Sequence, residues 1–139
     1  MVTVTKKFKF EACHYLPNYV GKCHNLHGHS YRLEVTIGGE PISDTKNPKV
    51  GMIIDFKDLK KMVNEYVVDK YDHSFLNEDF KNPTAELMVE SIGKTLEYVL
   101  SNNSLTGTEY EGRDLKLVSV KLWETEDSYA EYIPDKEVM

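Results

Sequence analysis

Cysteine is scarce in this chain of 139 residues: Cys13 and Cys23 are the only two. Two thiols do not make a disulfide framework at this length, so both are expected to stay free, as in a reducing cytoplasm. A surplus of positive charge is also missing. The net charge is −6 and no basic stripe is visible, which argues against a nucleic-acid partner. A polyanionic substrate would then need a local basic pocket or a bound cation. The opening Met-Val-Thr-Val-Thr-Lys-Lys lacks an apolar signal segment, and no apolar run approaches membrane-spanning length, so no membrane partner is expected. Linkers and low-complexity tracts are absent as well. Residues 1–139 are therefore expected to form a single domain, long enough to bury a real core.

Histidine, by contrast, is concentrated. Of five in the chain, three fall in Cys23-His24-Asn25-Leu26-His27-Gly28-His29. His27 and His29 are two apart, so on a strand both imidazoles project from one face. Gly28 between them leaves room for close approach to the backbone. His14 ends an earlier alternating run and supplies a third ligand if that run lies on the neighbouring strand. Three histidines without a fourth ligand describe an open zinc site, in which water or substrate takes the last position. A bare His-x-His is equally compatible with ordinary surface or core histidines. Cys23 and His73 admit a third chemistry, a Cys-His hydrolase, but that leaves three histidines unused and shows no oxyanion-hole signature.

Period-two patterning predicts a strand from Thr3 to His14 and another from the His27 cluster to Gly38-Gly39. Residues 40–50 read as an exposed connection, and Gly51-Met52-Ile53-Ile54 as a short strand. Asp55 starts a helix, with Asp58 in the manner of a capping box and Phe56, Leu59, Met62, Val63, Tyr66 and Val67 as its apolar face. That helix ends before Asp72-His73. Thr84 caps a second helix whose buried stripe is Met88, Ile92, Leu96 and Val99. After a loop from Ser101 to Arg113, Leu115–Thr125 and Ser128–Ile133 form a closing hairpin. The order ββααββ predicts an α+β fold: a four-stranded antiparallel sheet with two helices on one face.

Five separated motifs carry a resemblance. Phe10-x-Ala12-x-His14, Cys23-x3-His27-Gly28-His29, Asp72-His73, Asn82-Pro83-Thr84-Ala85-Glu86 and Trp123-Glu124-Thr125 resemble, in order, the 6-pyruvoyltetrahydropterin synthase family. The resemblance runs from Phe10 to about Tyr132. Three residues between Cys23 and His27-Gly28-His29 are similar to the branch that makes 6-carboxytetrahydropterin for queuosine and other 7-deazapurines. Pyruvoyl-forming relatives have a longer gap, and Leu87 stands where they often carry Asn.

The resemblance implies a tunnelling fold, in which three subunits close a twelve-stranded barrel and two barrels stack as a homohexamer with active sites between subunits. It implies a pterin substrate, dihydroneopterin triphosphate, and the products 6-carboxytetrahydropterin, acetaldehyde and triphosphate. It implies Zn2+ held by His14, His27 and His29, polarising the substrate's side-chain hydroxyls. Cys23 matches the general base, with His73 and Asp72 as a proton-relaying pair, and Glu124 matches the anchor for the pterin's N–H groups. Thr84 and Glu86 fall in a motif near the pterin pocket, although a helix-cap role serves Thr84 as well. His24 matches no role, Cys13 is expected to pack, and Lys22 is a bare guess for the triphosphate. The alternatives are the pyruvoyl-forming enzyme and a non-catalytic zinc- or pterin-binding oligomer.

Overall fold

A computed structural model of the chain describes residues 1–102 and 109–135. Part of the expected 101–113 loop therefore lies outside the described residues. Two long strands, β1 (Val2–His14) and β2 (His27–Gly39), pair antiparallel over their whole length, with His14 opposite His27 and Val2 opposite Gly39. Their patterning explains the fold. Phe8, Phe10, Ala12 and His14 are buried, as are Tyr31, Leu33, Val35 and Ile37, while Lys7, Lys9, Glu11 and Arg32 point the other way. One face of the hairpin is thus apolar and must be covered.

The cover is helical. α1 (Phe56–Val63) continues through a π-helical turn, Asn64–Val68, into α2 (Asp69–Tyr71). α3 (Ala85–Ser101) buries Met88, Val89, Ile92, Leu96, Val99 and Leu100. Each such side chain contributes on the order of 1.5–3 kcal/mol of transfer free energy. Of the apolar stripe expected on α1, Leu59, Met62, Val63 and Val67 are buried, but Phe56 is 52% exposed. It shares the face of Leu59 and Val63 but sits in the first turn of the helix.

The sheet runs β3-β1-β2-β4-β5, with β4 (Lys116–Thr125) and β5 (Ser128–Tyr132) as the closing hairpin. β3 (Ser74–Phe75) is a fifth strand that the sequence does not announce; it pairs parallel to Ala12 and Cys13. Two residues are too few for a periodicity to be read. Leu117 and Val120 are both buried although three apart, which strict alternation forbids. A register shift opposite Thr36/Ile37 resolves this, since Ser119 pairs with Thr36 and Leu117 with Ile37. Residues 51–54 are a turn instead of a strand, but Ile53 and Ile54 are both in the core, which accounts for the apolar run. The capping box also gives way to tertiary contacts. Asp55 caps α1 by accepting the Lys57 N–H at 2.9 Å, but its own N–H donates to Tyr110 Oη, also at 2.9 Å. Asp58 instead accepts the Tyr110 hydroxyl at 2.5 Å, and Lys49 Nζ donates to Asp55 at 2.7 Å. No helix among the described residues is long and apolar enough to cross a membrane.

Candidate functional site

The β1–β2 register brings the histidines together. His14 ends β1 on the helix-facing side, His27 and His29 open β2 on that same side, and one nitrogen from each lies within 4.8 Å of the others. The ring centroids are 4.6, 4.7 and 5.0 Å apart, all edge to face.

Their other contacts fix which nitrogens are free. His14 Nδ1 lies 2.9 Å from the Pro83 carbonyl oxygen and His27 Nδ1 lies 2.6 Å from that of Asn25. A carbonyl only accepts, so in both rings Nδ1 carries the proton and Nε2 presents a lone pair. These two Nε2 atoms face each other at 3.1 Å. Facing lone pairs repel unless a proton or a cation lies between them. The third, His29 Nε2, is covered and without a hydrogen-bond partner. Burial, the largest effect, holds the pKa of His14 and of His29 below the ordinary histidine value, while the Glu124 carboxylate pulls both upward. Neutral imidazoles with converging lone pairs and outer nitrogens oriented by carbonyls are the donor set of a metal site. The residues present therefore fit a divalent cation with nitrogen preference.

Glu124 completes this side. It is in phase with buried Val120 and Leu122 on β4, and its Oε1 lies 3.8 Å from His29 Nε2. It opens into a cavity of about 830 Å³ between α3 and β5, lined also by Ala85, Glu86, Val89, Tyr129 and Tyr132. Glu86 thus faces the same space as Glu124. Thr84 does not need a ligand to explain it: its hydroxyl caps α3 by accepting the Leu87 N–H at 3.2 Å.

Asp72 and His73 pair elsewhere. The helical rod ends at Tyr71, and His73 takes a left-handed backbone conformation, φ 59°. That turn is uncommon for a residue with a side chain and is held by the neighbouring strand. The His73 N–H donates to the Glu11 carbonyl at 2.5 Å, and the Glu11 N–H donates to Asp72 Oδ1 at 2.9 Å. This bond, followed by the nearby His73, holds the Asp72 carboxyl below its usual range despite an opposing effect of burial. His73 Nδ1 lies 3.1 Å from Asp72 Oδ2, and the His73 side chain is 80% exposed. It lines a hollow of about 490 Å³ at the end of the β1–β2 hairpin, which Glu11, Cys13, Gly28, His29 and Ser30 also border. By strand alternation Glu11, Cys13, Gly28 and Ser30 belong to the other sheet face from His29, so the hollow lies where the two faces meet. Cys23 is half-buried on a 3-10 turn, Lys22–His24, as a free thiol. Lys22 and His24 beside it are exposed.

A profile of the family described as 6-pyruvoyl tetrahydropterin synthase matches residues 3–135. The chain belongs to that family. A relative from Haemophilus influenzae named 6-carboxy-5,6,7,8-tetrahydropterin synthase is 32% identical, covering 95% of this chain and 99% of its own. One of the same name from Synechocystis is 37% identical, covering 70% of this chain and 76% of its own. The solved 6-pyruvoyl tetrahydropterin synthase of Caenorhabditis elegans superposes with a TM-score of 0.73 at 28% identity, each chain 96% covered. The tunnelling fold expected of the family is the fold found, with the short β3 added at one edge. The orienting carbonyls of Pro83 and Asn25 escape a reading by residue type, because backbone groups leave no mark in composition. Pro83 inside the Asn-Pro-Thr motif was the one signal that pointed there.

Proposed function

We propose that this protein is a zinc-dependent 6-carboxy-5,6,7,8-tetrahydropterin synthase. It would convert dihydroneopterin triphosphate to 6-carboxytetrahydropterin, acetaldehyde and triphosphate for 7-deazapurine synthesis. The observation that carries the chemistry is the convergence of three imidazole nitrogens beside a carboxylate that opens into a cavity of about 830 Å³. That volume accommodates a bicyclic ring with its side chain.

In this reading His14, His27 and His29 hold the metal. A bound Zn2+ supplies Lewis acidity that makes the substrate's carbon-bound protons labile. Glu124 accepts two parallel hydrogen bonds from the pterin's ring N–H and amine, and so fixes which carbon faces the histidines. Glu86 lines the same cavity, whereas Thr84 acts through the helix cap. Cys23 takes the carbon-bound proton as thiolate. His73, with Asp72 fixing its tautomer, relays protons at the thiol.

The Asp72–His73 pair acts in this reading at an active site shared between subunits, as the resemblance to the family implies. A second copy would then supply the Asp72–His73 pair to the thiol. The open sheet edges at β3 and β5 support such an assembly, because unpaired edges call for a partner. The assembly proposed is the family's homohexamer of two barrels. Two free thiols suit a reducing cytoplasm.

The similarity to the nematode pyruvoyl enzyme supports one other reading, the same fold forming 6-pyruvoyltetrahydropterin. One assay separates the two. Zinc-loaded protein is incubated with dihydroneopterin triphosphate, and acetaldehyde and the pterin product are measured together. Equimolar acetaldehyde and 6-carboxytetrahydropterin support the proposal, and turnover without acetaldehyde selects the alternative. Full turnover by a Cys23→Ala protein would remove Cys23 from the mechanism.

A further inference from the structure

His14 ends β1 and His27 opens β2, and the two face each other in the last pair of the hairpin. The chain between them, residues 15–26, is a long loop. Two of the converging nitrogens therefore sit at the end of a ladder, where pairing frays unless the backbone beyond it is tied. The same loop carries Cys23 and the Asn25 carbonyl that orients His27.

The tie comes from a side chain far along the sequence. Tyr15, the first residue past β1, donates its N–H to Asn77 Oδ1 at 3.0 Å, and its carbonyl accepts from Asn77 Nδ2 at 2.9 Å. One amide thus meets both peptide groups of one residue, as a neighbouring strand does. It prolongs by side chain the pairing that β3 makes with Ala12 and Cys13. Asn77 is itself held in place. Leu76 before it is fully buried, and the Phe75 ring stacks on that of Tyr15 with centroids 6.1 Å apart. The residue after Tyr15 continues the chain of contacts, since the Leu16 N–H donates to the Cys23 carbonyl at 2.8 Å. Three consecutive residues thus have three tasks: His14 offers a nitrogen, Tyr15 is clamped, and Leu16 holds the Cys23 turn.

We propose that Asn77 is a positioning residue for the metal site. By fixing the Tyr15 peptide it sets His14 at the end of β1 and, through Leu16, the place of Cys23 beside it. The inference rests on the reading of His14 as a metal ligand and Cys23 as the base. Asn77 acts through the backbone, and the work needs a donor and an acceptor on one short side chain. Aspartate supplies the acceptor for the Tyr15 N–H but no donor for its carbonyl.

The test compares N77A and N77D with V99A, which shortens a buried side chain in the last turn of α3 and serves as a control for general destabilisation. Two quantities are measured: the zinc Kd by chelator competition, and the alkylation rate of Cys23 in metal-free protein, resolved from Cys13 by peptide mapping. N77A is expected to raise the zinc Kd about tenfold or more, the effect of losing a group that orients a ligand. It is also expected to speed alkylation of Cys23. N77D falls between N77A and the parent, and V99A leaves both quantities unchanged. Parent values of both in folded N77A overturn the proposal, as does an equal change in V99A. If N77A does not fold, parent values in N77D overturn it. A raised zinc Kd with an unchanged alkylation rate refutes the link through Leu16. If the parent takes up no zinc, the metal reading itself fails, and the alkylation rates still decide whether Asn77 holds the Cys23 loop.

Discussion

Gly93 offers a test of how tightly the Glu124 cavity is built. It lies in the middle of α3, where glycine costs roughly 1 kcal/mol relative to alanine, so Gly93→Ala in an open helix would stabilise. Here a Cβ at position 93 would meet Tyr132 Cδ2 at 2.0 Å and Tyr132 Cγ at 2.4 Å. Ordinary contact needs well over an ångström more. Cγ is the root of the ring, so no terminal rotation relieves the overlap. Either α3 lifts from β5 or Tyr132 changes rotamer and gives up its hydrogen bond to Glu97. Overpacking of this kind costs about 1–3 kcal/mol. With overlap this deep, the upper part of that range applies, leaving about 1–2 kcal/mol of net destabilisation after the helix-propensity gain. For a chain of this size that lowers Tm by roughly 3–8 °C. Thermal unfolding followed by circular dichroism measures it, and G93A combined with Tyr132→Ala is expected to destabilise less than the sum of the two changes. A G93A protein as stable as the parent would refute the close α3–β5 packing from which the cavity is described.

Other outcomes follow from the site. His14→Ala removes one of three converging nitrogens, and zinc measured after dialysis is expected to fall well below one per chain with the sheet intact by circular dichroism. Glu124→Gln keeps the shape but turns one acceptor oxygen into a donor, so kcat/KM for the pterin should drop by about 10²–10³, with zinc content unchanged. The metal-free protein is expected to lose stability on acidification. His14 and His29 titrate lower when folded than when unfolded, so the unfolded chain binds more protons as pH drops. That loss begins below pH ~6.5 and ends once pH passes the folded values. A melting temperature that rises or stays flat through that window would contradict the buried, neutral histidines.

The sequence by itself determined the periodic parts of this protein. Alternation in β1 and β2 settled which residues share a face, including His14 with Phe10 and His27 with His29, because neighbouring side chains of a strand must point oppositely. The spacing of Met88, Ile92, Leu96 and Val99 determined the buried side of α3. Ordered motifs carried the family, since their agreement over most of the chain does not depend on any one contact. What only the tertiary structure decided concerns partners far apart in the chain. His14 opposite His27 is a matter of register, and Glu124 beside His29 requires β4 to dock on β2. Pro83 and Asn25 orient imidazoles through backbone oxygens that residue identity does not reveal. Asp58 fits a capping box by local rule, yet Tyr110, 52 residues away in sequence, takes its carboxylate. Local rules encode direction and period, whereas register and docking emerge from the packing of the whole core, so the site's ingredients were legible and their meeting points were not.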